Sequence, residues 1–517
     1  MPRQLFRLII PAHAHKNVFS AVSSRMTSLG PVLVATCVNK SFSDVDVEVI
    51  DENNYIGPLD ERNLPDHKAF QEQRPAQFVG FYCSLTSTMP RVYELAKYYQ
   101  AQKALTVGGG AHVNYLVDEA LQNGLDIVVR GEGEEVIVQI IKAAKKNLGW
   151  EKIAGISFKK EGKIFHNPPE KLELCDLNSL PYPDFGLLRW AKKMVFYPLN
   201  RTRGCSRRCE FCTVNNKPRW VEPEKMFNNI AWLVQSRKAK HFFIVDDRLN
   251  EDAPGTEKLF RLLAQAKESG ALPKNLSFTV QIRLEAAREE ELLKLMYRAG
   301  VRMVCIGYES PIAEELQAMR KGIKPEDMVR YTKIFKKHGF WVHAMMIFGY
   351  PARQEEKILM SVKERITEFK KFIKKAKPDT IQVLLATPIP GTELYERLEK
   401  QGRIYPRDIV GWENYDGGHL CFEPDPPISA QDVQRGSIAI MRRFYSGWNF
   451  WKIPLVIFAF PFVVPFGSFS RWYRLWRNSI WGYAGHRIVK KWLESSKQSR
   501  WLERLSLAQK RTVIGQM

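Results

Sequence analysis

The 517-residue sequence has no apolar run long enough to cross a membrane as a helix. The stretch Ile453 to Phe466 covers 14 apolar residues and is broken by Pro454, Pro461 and Pro465, whereas a spanning helix needs about 20. The opening MPRQLFRLIIPAHAH lacks a long apolar core and a small-residue cleavage site, so it reads as a first strand rather than a secretion signal. Eight cysteines without even, close spacing exclude the disulfide framework of a small secreted domain. Five of them, Cys37, Cys83, Cys175, Cys305 and Cys421, are scattered and read as small buried hydrophobes. Acidic residues are scarce at one end. From Arg442 to Met517 there are 14 Lys and Arg against Glu494 and Glu503, a net +12 that is over half of the chain's +22. Such a surface suits an anionic partner, either nucleic acid or lipid. Hydrophobic content of 45% and charged content of 26% are ordinary for a folded protein, and the length allows several domains.

The other three cysteines lie in Arg201 to Val214, RTRGCSRRCEFCTV, where Cys205, Cys209 and Cys212 form a CxxxCxxC array. A fourth cysteine would close a cluster for electron transfer, and Cys2His2 spacing would suggest zinc. Three thiolates hold three irons of a four-iron cluster and leave the fourth iron open to a ligand. A structural zinc loop is the bland alternative. At these residues the chain resembles the radical S-adenosylmethionine superfamily, in which the open iron chelates the methionine part of S-adenosylmethionine. The resemblance implies a [4Fe-4S] cluster on this triad, S-adenosylmethionine as cofactor, and an external electron donor such as flavodoxin or ferredoxin. An oxygen-sensitive cluster implies a reducing cytoplasm.

Upstream of the triad, short apolar runs alternate with helix-like segments: Leu5 to Ile10, Val32 to Val34, Val45 to Ile50, Phe78 to Tyr82, Ala104 to Val107 and Ile127 to Val129, followed by a helix over Glu134 to Lys146. This pattern predicts an α/β, doubly wound, flavodoxin-like sheet that binds ligands at the carboxyl ends of its strands. Three strand ends carry unusual chemistry. FYCSLTSTMP supplies Ser84, Thr86, Ser87 and Thr88, VGGGAHVN supplies Gly108, Gly109, Gly110 and His112, and RGEGE supplies Gly131 and Glu132. Glycines let backbone approach a bulky ligand, and hydroxyls can bond its amides. Together, ahead of the cysteine motif, these loops are similar to the cobalamin-binding domain of cobalamin-dependent radical enzymes. That family's DxHxxG motif is missing, because the first turn reads Pro11-Ala-His13-Ala-His15-Lys16-Asn17. Neither histidine has the neighbours of a lower cobalt ligand, and both read as solvated turn residues.

Gly155 to His166 predicts a hairpin about Glu161-Gly162, and a proline-broken linker follows to Asp184. From Tyr197 onward, Tyr197 to Arg201, Phe242 to Val245, Ser277 to Gln281, Met303 to Gly307, Trp341 to Phe348 and Thr380 to Ala386 alternate with helices. Six such units suggest the partial (β/α)6 barrel of the radical superfamily, with its site at the carboxyl ends of the strands. The resemblance implies S-adenosylmethionine contacts from Phe211, from Glu309 in CIGYES and from Pro390 in TPIPGTELYE, a turn stiffened by Pro388 and Gly391. Asp246, Asp247, Gln281 and Arg283 also end strands, and Arg320 and Lys321 in MRKG are candidates for neutralising the carboxylate. Asp246 and Asp247 read as holding either substrate or a neighbouring loop. YDGGHLCF, with Tyr415, Asp416 and His419, is expected to precede a short strand and close the barrel, as either a substrate-side turn or a plain hairpin.

These readings divide the chain into a cobalamin-binding domain at 1–170, a linker at 171–195, a barrel at 196–400, a closing extension at 401–445 and a basic, aromatic helical tail at 446–517. Arg471, Trp472, Arg474, Trp476, Arg477 and Trp481 beside an apolar run favour the interface of an anionic membrane, on the inner face of the cell membrane, over nucleic acid. A tail packed on the barrel or pairing two subunits is the alternative. The implied function is a cobalamin-dependent methyltransferase acting on an unactivated carbon of a lipid or isoprenoid. A radical cyclase or oxidase for a lipid or tetrapyrrole, or a sensor that catalyses nothing, stays open beside it.

Overall fold

The computed structural model describes residues 3–15, 18–168, 174–214, 216–353, 360–446, 448–458, 460, 469–498 and 500–516. Its first sheet is built from β1 (Gln4–Ile10), β2 (Val45–Asp51), β3 (Phe78–Tyr82), β4 (Leu105–Gly109), β5 (Ile127–Val129), β6 (Ile156–Lys160) and β7 (Lys163–His166). The strand order is β2-β1-β3-β4-β5-β6-β7, and the first five are parallel. These strands are rich in Val, Ile and Phe and buried on both faces, as a helix-covered parallel sheet requires. The chain reverses direction across the sheet between β1 and β3, the switch point where ligands of doubly wound folds bind.

Two expectations for this region are corrected. Val32 to Val34 is not a strand but part of the helix Leu29–Ser41, which has Pro31 in its first turn and buries seven residues from Pro31 to Val38. Nor does the sheet end at β5. The predicted hairpin turns at Glu161 and Gly162, both at positive φ, and adds β6 and β7 antiparallel to the edge.

The second sheet holds β8 (Phe196–Leu199), β11 (His241–Ile244), β12 (Ser277–Gln281), β13 (Val301–Glu309), β14 (Trp341–Phe348) and β15 (Thr380–Leu385), all parallel, in the order β15-β14-β13-β12-β11-β8. It is an open, six-stranded partial barrel. Its helices are punctuated in standard ways: the helix Glu290–Ala299 ends on Gly300 at φ +109, and Ser361 forms a capping box with Glu364. Between β8 and β11, a two-residue ladder of β9 (Thr202–Arg203) with β10 (Arg219–Trp220) encloses the cysteine loop.

The closing extension lays the helix Ala430–Phe444 on the barrel, and Tyr445 Oη bonds both Ile381 N and O. The short strand expected after His419 is a single bridge, Phe422 to Ile404. Beyond it lie the helices Trp448–Phe458, Phe469–Gln498 and Trp501–Gln516. Much of the run Ile453 to Phe466 falls outside the described residues. The expectation of one membrane-facing tail is corrected in its distal part, because Val489, Trp501, Leu505 and Ala508 belong to the barrel's own core. Among the described residues no helix is long and apolar enough to cross a membrane.

Candidate functional site

The cysteine loop is shaped from below by two carboxylates that end β11. Asp246 Oδ1 accepts from the backbone N–H of Arg201 (2.6 Å) and Thr202 (3.0 Å), and Asp247 Oδ2 accepts from Gly204 N (2.8 Å). Both therefore anchor the neighbouring loop. Gly204 has φ +89, and a Cβ there would lie 2.6 Å from Asn216 O and 2.7 Å from Lys217 O, so only glycine fits between the two limbs. Cys205 N reaches Asn216 O at 3.2 Å, and Cys212 N turns back to Cys209 O at 3.0 Å. All three thiols are partly exposed, while the other five cysteines are buried. Burial pushes the Cys205 and Cys212 thiols up from the ordinary range, and for Cys212 the other two sulfurs add to the push. Among the described residues no three ligating side chains converge as they would on a single metal ion. A cluster does not ask for that, since each thiolate meets its own iron.

The residue between the second and third cysteines that sequence reasoning passed over is Glu210. Its side chain is 1% exposed and is bound by Tyr350 Oη (2.6 Å), Arg397 Nε (2.9 Å) and Arg353 Nη2 (3.0 Å). Glu210 N donates to Met319 O, and Glu210 O accepts from Leu394 N. The loop is thus seated on the far side of the barrel.

Above the triad, Glu309 ends β13 at φ +61, a backbone region rarely occupied by a long side chain. Its Oε1 accepts from Lys321 Nζ at 2.7 Å. Burial works against the charge on Lys321, but Glu309 outweighs it and holds the ammonium charged. Lys321 also stands 6.0 Å from the centroid of Phe211, which meets Tyr350 edge-on at 6.3 Å. Arg320 instead pairs with Glu393 on the surface. Arg283, at the end of β12, has a buried Nη1 without a partner among the described residues. Burial depresses its pKa, and Cys209 is among the charges it feels. An ammonium, a carboxylate and a guanidinium whose Nη1 is unpartnered while its Nη2 pairs with Glu285 (3.4 Å) fit the amino and carboxylate groups of an amino-acid ligand such as the methionine part of S-adenosylmethionine. Pro390 is buried in the turn leading to the helix Glu393–Lys400, which Thr392 caps.

A cavity of about 670 Å³ lies between residues flanking the cysteine loop and the first sheet; the three cysteines, Phe211, Glu309 and Pro390 do not line it. From the barrel side it is lined by Arg203, Gly204, Val214 and Asp247, and from the sheet side by Gly109, Gly110, Gly131 and Glu132. It continues between β1, β3 and the helix Leu29–Ser41, past Leu8, Gly80 and Val34. Gly110 has φ +140, and a Cβ there would come within 2.6 Å of both Cys83 C and Ser84 N. A wide mouth at the strand ends with a slot running down the switch point fits a flat macrocycle with a long tail, the shape of cobalamin.

Not every expected residue reaches this cavity. Ser84, Thr86, Ser87, Gly108 and His112 are absent from its lining, whereas Leu85 and Thr88 from the same segment are present. Thr86 Oγ1 and His112 Nδ1 bond each other at 3.1 Å, and the imidazole lies edge-on to Trp412 at 5.1 Å. Burial lowers the His112 pKa to about 4. Glu132 borders the cavity but spends its carboxylate on Arg203 (3.2 Å), Arg219 and Cys175 N (3.1 Å). His13 lines the cavity with its Nε2 on Ser23 Oγ (2.9 Å), and His15 bonds Asn414 at 3.1 Å, so neither is the solvated residue expected from the turn. Asp416 and His419 are likewise buried against each other at 2.9 Å, with His419 edge-on to Trp501. Asp51, which sequence reasoning did not single out, lines the cavity too.

Residues 18–141 match the B12 binding domain family, and residues 199–365 match the Radical SAM superfamily. An uncharacterised methyltransferase of Pyrococcus horikoshii is 26% identical over 390 residues, which are 73% of this chain and 80% of that protein. The anaerobic magnesium-protoporphyrin IX monomethyl ester cyclase of Cereibacter sphaeroides is 25% identical over 358 residues, 66% of this chain and 55% of that one. The hopanoid C-3 methylase of Methylococcus capsulatus is 24% identical over 413 residues, 75% of this chain and 72% of that one. Among solved structures, the radical S-adenosylmethionine methyltransferase TsrM of Kitasatospora setae, with cobalamin and a [4Fe-4S] cluster bound, aligns at a TM-score of 0.64. It is 16% identical, with 96% of this chain and 100% of that one covered, so the fold is shared. With both family domains in this order and one cavity between them, the chain belongs to the cobalamin-dependent radical S-adenosylmethionine enzymes.

Proposed function

We propose that this enzyme transfers a methyl group to an unactivated carbon of a lipid or isoprenoid substrate. The observation that carries the proposal is the cavity that runs from Gly204, Thr213 and Val214, beside the cysteines, to the glycine-rich strand ends. A radical centre and a methyl donor could meet one substrate there. When bound, the cluster with S-adenosylmethionine supplies hydrogen abstraction, and cobalamin supplies the methyl group.

The chain's own residues hold and orient. Cys205, Cys209 and Cys212 would hold the cluster, with Glu210 and the Asp246–Asp247 pair fixing the loop. Lys321, Glu309 and Arg283 would take the amino-acid end of S-adenosylmethionine, and Phe211 and the Pro390 turn its nucleoside. Gly109, Gly110 and Gly131 admit the corrin. The apolar lining from Leu8, Ile10, Phe81 and Val107 excludes water around it.

The lipid reading draws on the tail. Leu455 (65% exposed), Ile457, Phe458 (75%), Leu475 and Trp481 are displayed on its first two helices, with exposed Arg487, Lys490 and Lys491 further along. Apolar side chains beside cations suit the surface of an anionic bilayer. A hopanoid methylase among the relatives agrees with it. The magnesium-protoporphyrin cyclase supports a second reading, ring closure on a tetrapyrrole.

The test is anaerobic. Reconstituted protein with reductant, S-adenosylmethionine and a lipid extract is expected to release 5′-deoxyadenosine and S-adenosylhomocysteine together and to add mass to a lipid. Turnover of 5′-deoxyadenosine with no S-adenosylhomocysteine would favour the cyclase reading. No 5′-deoxyadenosine from protein with an intact cluster would leave a sensor.

A further inference from the structure

The residues that hold the cofactors leave one group of charges around the cysteines without a role. Arg207 and Arg208, between the first and second cysteines, are both exposed. Lys217 is exposed on the opposite limb of the loop, its carbonyl 2.7 Å from where a Gly204 side chain would begin. Arg207 Nη1 comes within 3.7 Å of the Cβ position of Gly322, which places it beside the turn that carries exposed Lys324.

Among the described residues these four cations have no acidic partner, while the acids around them are taken. Glu251 is bound by Arg248 (3.2 Å) and Ser206 N (2.7 Å), Glu309 by Lys321 (2.7 Å), and Glu393 by Arg320. Among the described residues the surface beside the cysteine loop is therefore positive. It is also close to the thiols. At roughly 3.5 Å per residue, no backbone atom of residues 206–208 is more than about 10 Å from a cysteine Cα.

We propose that Arg207, Arg208, Lys217 and Lys324 form the docking surface for an acidic protein that carries a one-electron donor, a flavin or an iron–sulfur group, near its own surface. This rests on the triad's role as the cluster site. One electron leaves the partner's reduced group and enters the cluster, so the partner is oxidised by one electron and the cluster reduced by one, with no bond made or broken. Complementary charge brings the two redox groups together and sets the encounter rate.

The experiment uses the full chain with its cluster reconstituted, and follows cluster reduction by stopped flow and by electron paramagnetic resonance. Two reductants are compared, reduced flavodoxin and reduced methyl viologen, a small cation. With flavodoxin the rate constant is expected to fall about tenfold from low to high salt, and about tenfold in R207E/R208E. With methyl viologen it is expected to stay within about twofold in the same variant. Should glutamates disturb the loop, R207Q/R208Q and K217Q/K324Q give the same pattern with a fall of about threefold each.

A flavodoxin rate indifferent to salt and to all of these substitutions overturns the docking surface. A triad that binds no iron, or a cluster that methyl viologen cannot reduce, overturns the cluster reading beneath it and the docking surface with it. If the variants lose salt-dependent binding of a random DNA duplex while the flavodoxin rate holds, the surface belongs to nucleic acid and the proposal fails.

Discussion

Glu210 and Arg397 meet across 187 positions of the chain, with Arg397 Nε donating to Oε1 at 2.9 Å and Nη2 to Oε2 at 3.2 Å. Because Glu210 is flanked by Cys209 and Cys212, this contact fixes the cysteine loop against the helix Glu393–Lys400. Glu210→Ala would leave Arg397 and the partly exposed Arg353 without their shared acceptor. The expected cost is about 3 kcal/mol, read as a lower Tm in the metal-free protein, together with less iron per chain after reconstitution. Glu210→Gln should fall between the two, since it keeps an acceptor and loses the charge.

Asp51 gives a pH dependence with an unusual sign. Burial at the cavity wall raises its pKa to about 6, against hydrogen bonds from Asn53 N and Nδ2 that pull the other way. An unfolded Asp titrates near about 3.9. The native state therefore binds the proton more tightly, and stability is lost as pH rises from about 4 to about 6. At two units the difference is about 3 kcal/mol. Asp51→Asn is expected to raise Tm at pH 7 and to change little at pH 4; equal effects at both would count against this assignment.

Gly110 tests the shape of the cavity mouth. Gly110→Ala places a Cβ 2.6 Å from two backbone atoms in a conformation that L residues avoid. The strand end must shift, at about 1–3 kcal/mol. Cobalamin retained after gel filtration, read by absorbance, is expected to drop well below that of the parent chain, whereas Gly162→Ala, at a turn with open space around it, should retain it.

The two ends of the tail should respond differently. Trp501 is 1% exposed, with Nε1 bonded to Gln434 at 2.8 Å, so Trp501→Ala is expected to cost about 3–5 kcal/mol. Leu455→Ser with Phe458→Ser changes exposed side chains, and should leave the unfolding free energy within about 1 kcal/mol of the parent while abolishing sedimentation with anionic liposomes. Sedimentation unchanged by the pair would remove the membrane reading.

Much of the barrel was readable because its strands are continuous apolar runs flanked by turns, and Ser277–Gln281 and Trp341–Phe348 were legible to the residue. The same signal misled at Val32. The helix Leu29–Ser41 is buried on most of its surface, so its apolar residues lose the helical period and resemble a strand. The triad was legible because ligand spacing is local. Glu210 was not, since its partners Tyr350, Arg353 and Arg397 lie 140 or more positions away. Thr86 and His112 illustrate a further limit: a hydroxyl and an imidazole at strand ends look like ligand contacts, yet here Thr86 Oγ1 and His112 Nδ1 bond each other. In the tail, composition revealed tryptophan and arginine but not which rings turn inward.

The carboxylates of Glu132 and Glu134 in the RGEGE loop bind Arg203, two positions before the first cysteine, and Glu132 also binds Arg219, on the strand that closes the cysteine loop. The loop that ends the first sheet and the loop that carries the thiols are consequently one mechanical unit. A displacement of either is transmitted to the other through guanidinium groups rather than through a hinge, so the reach between the two reactive centres is set within the chain.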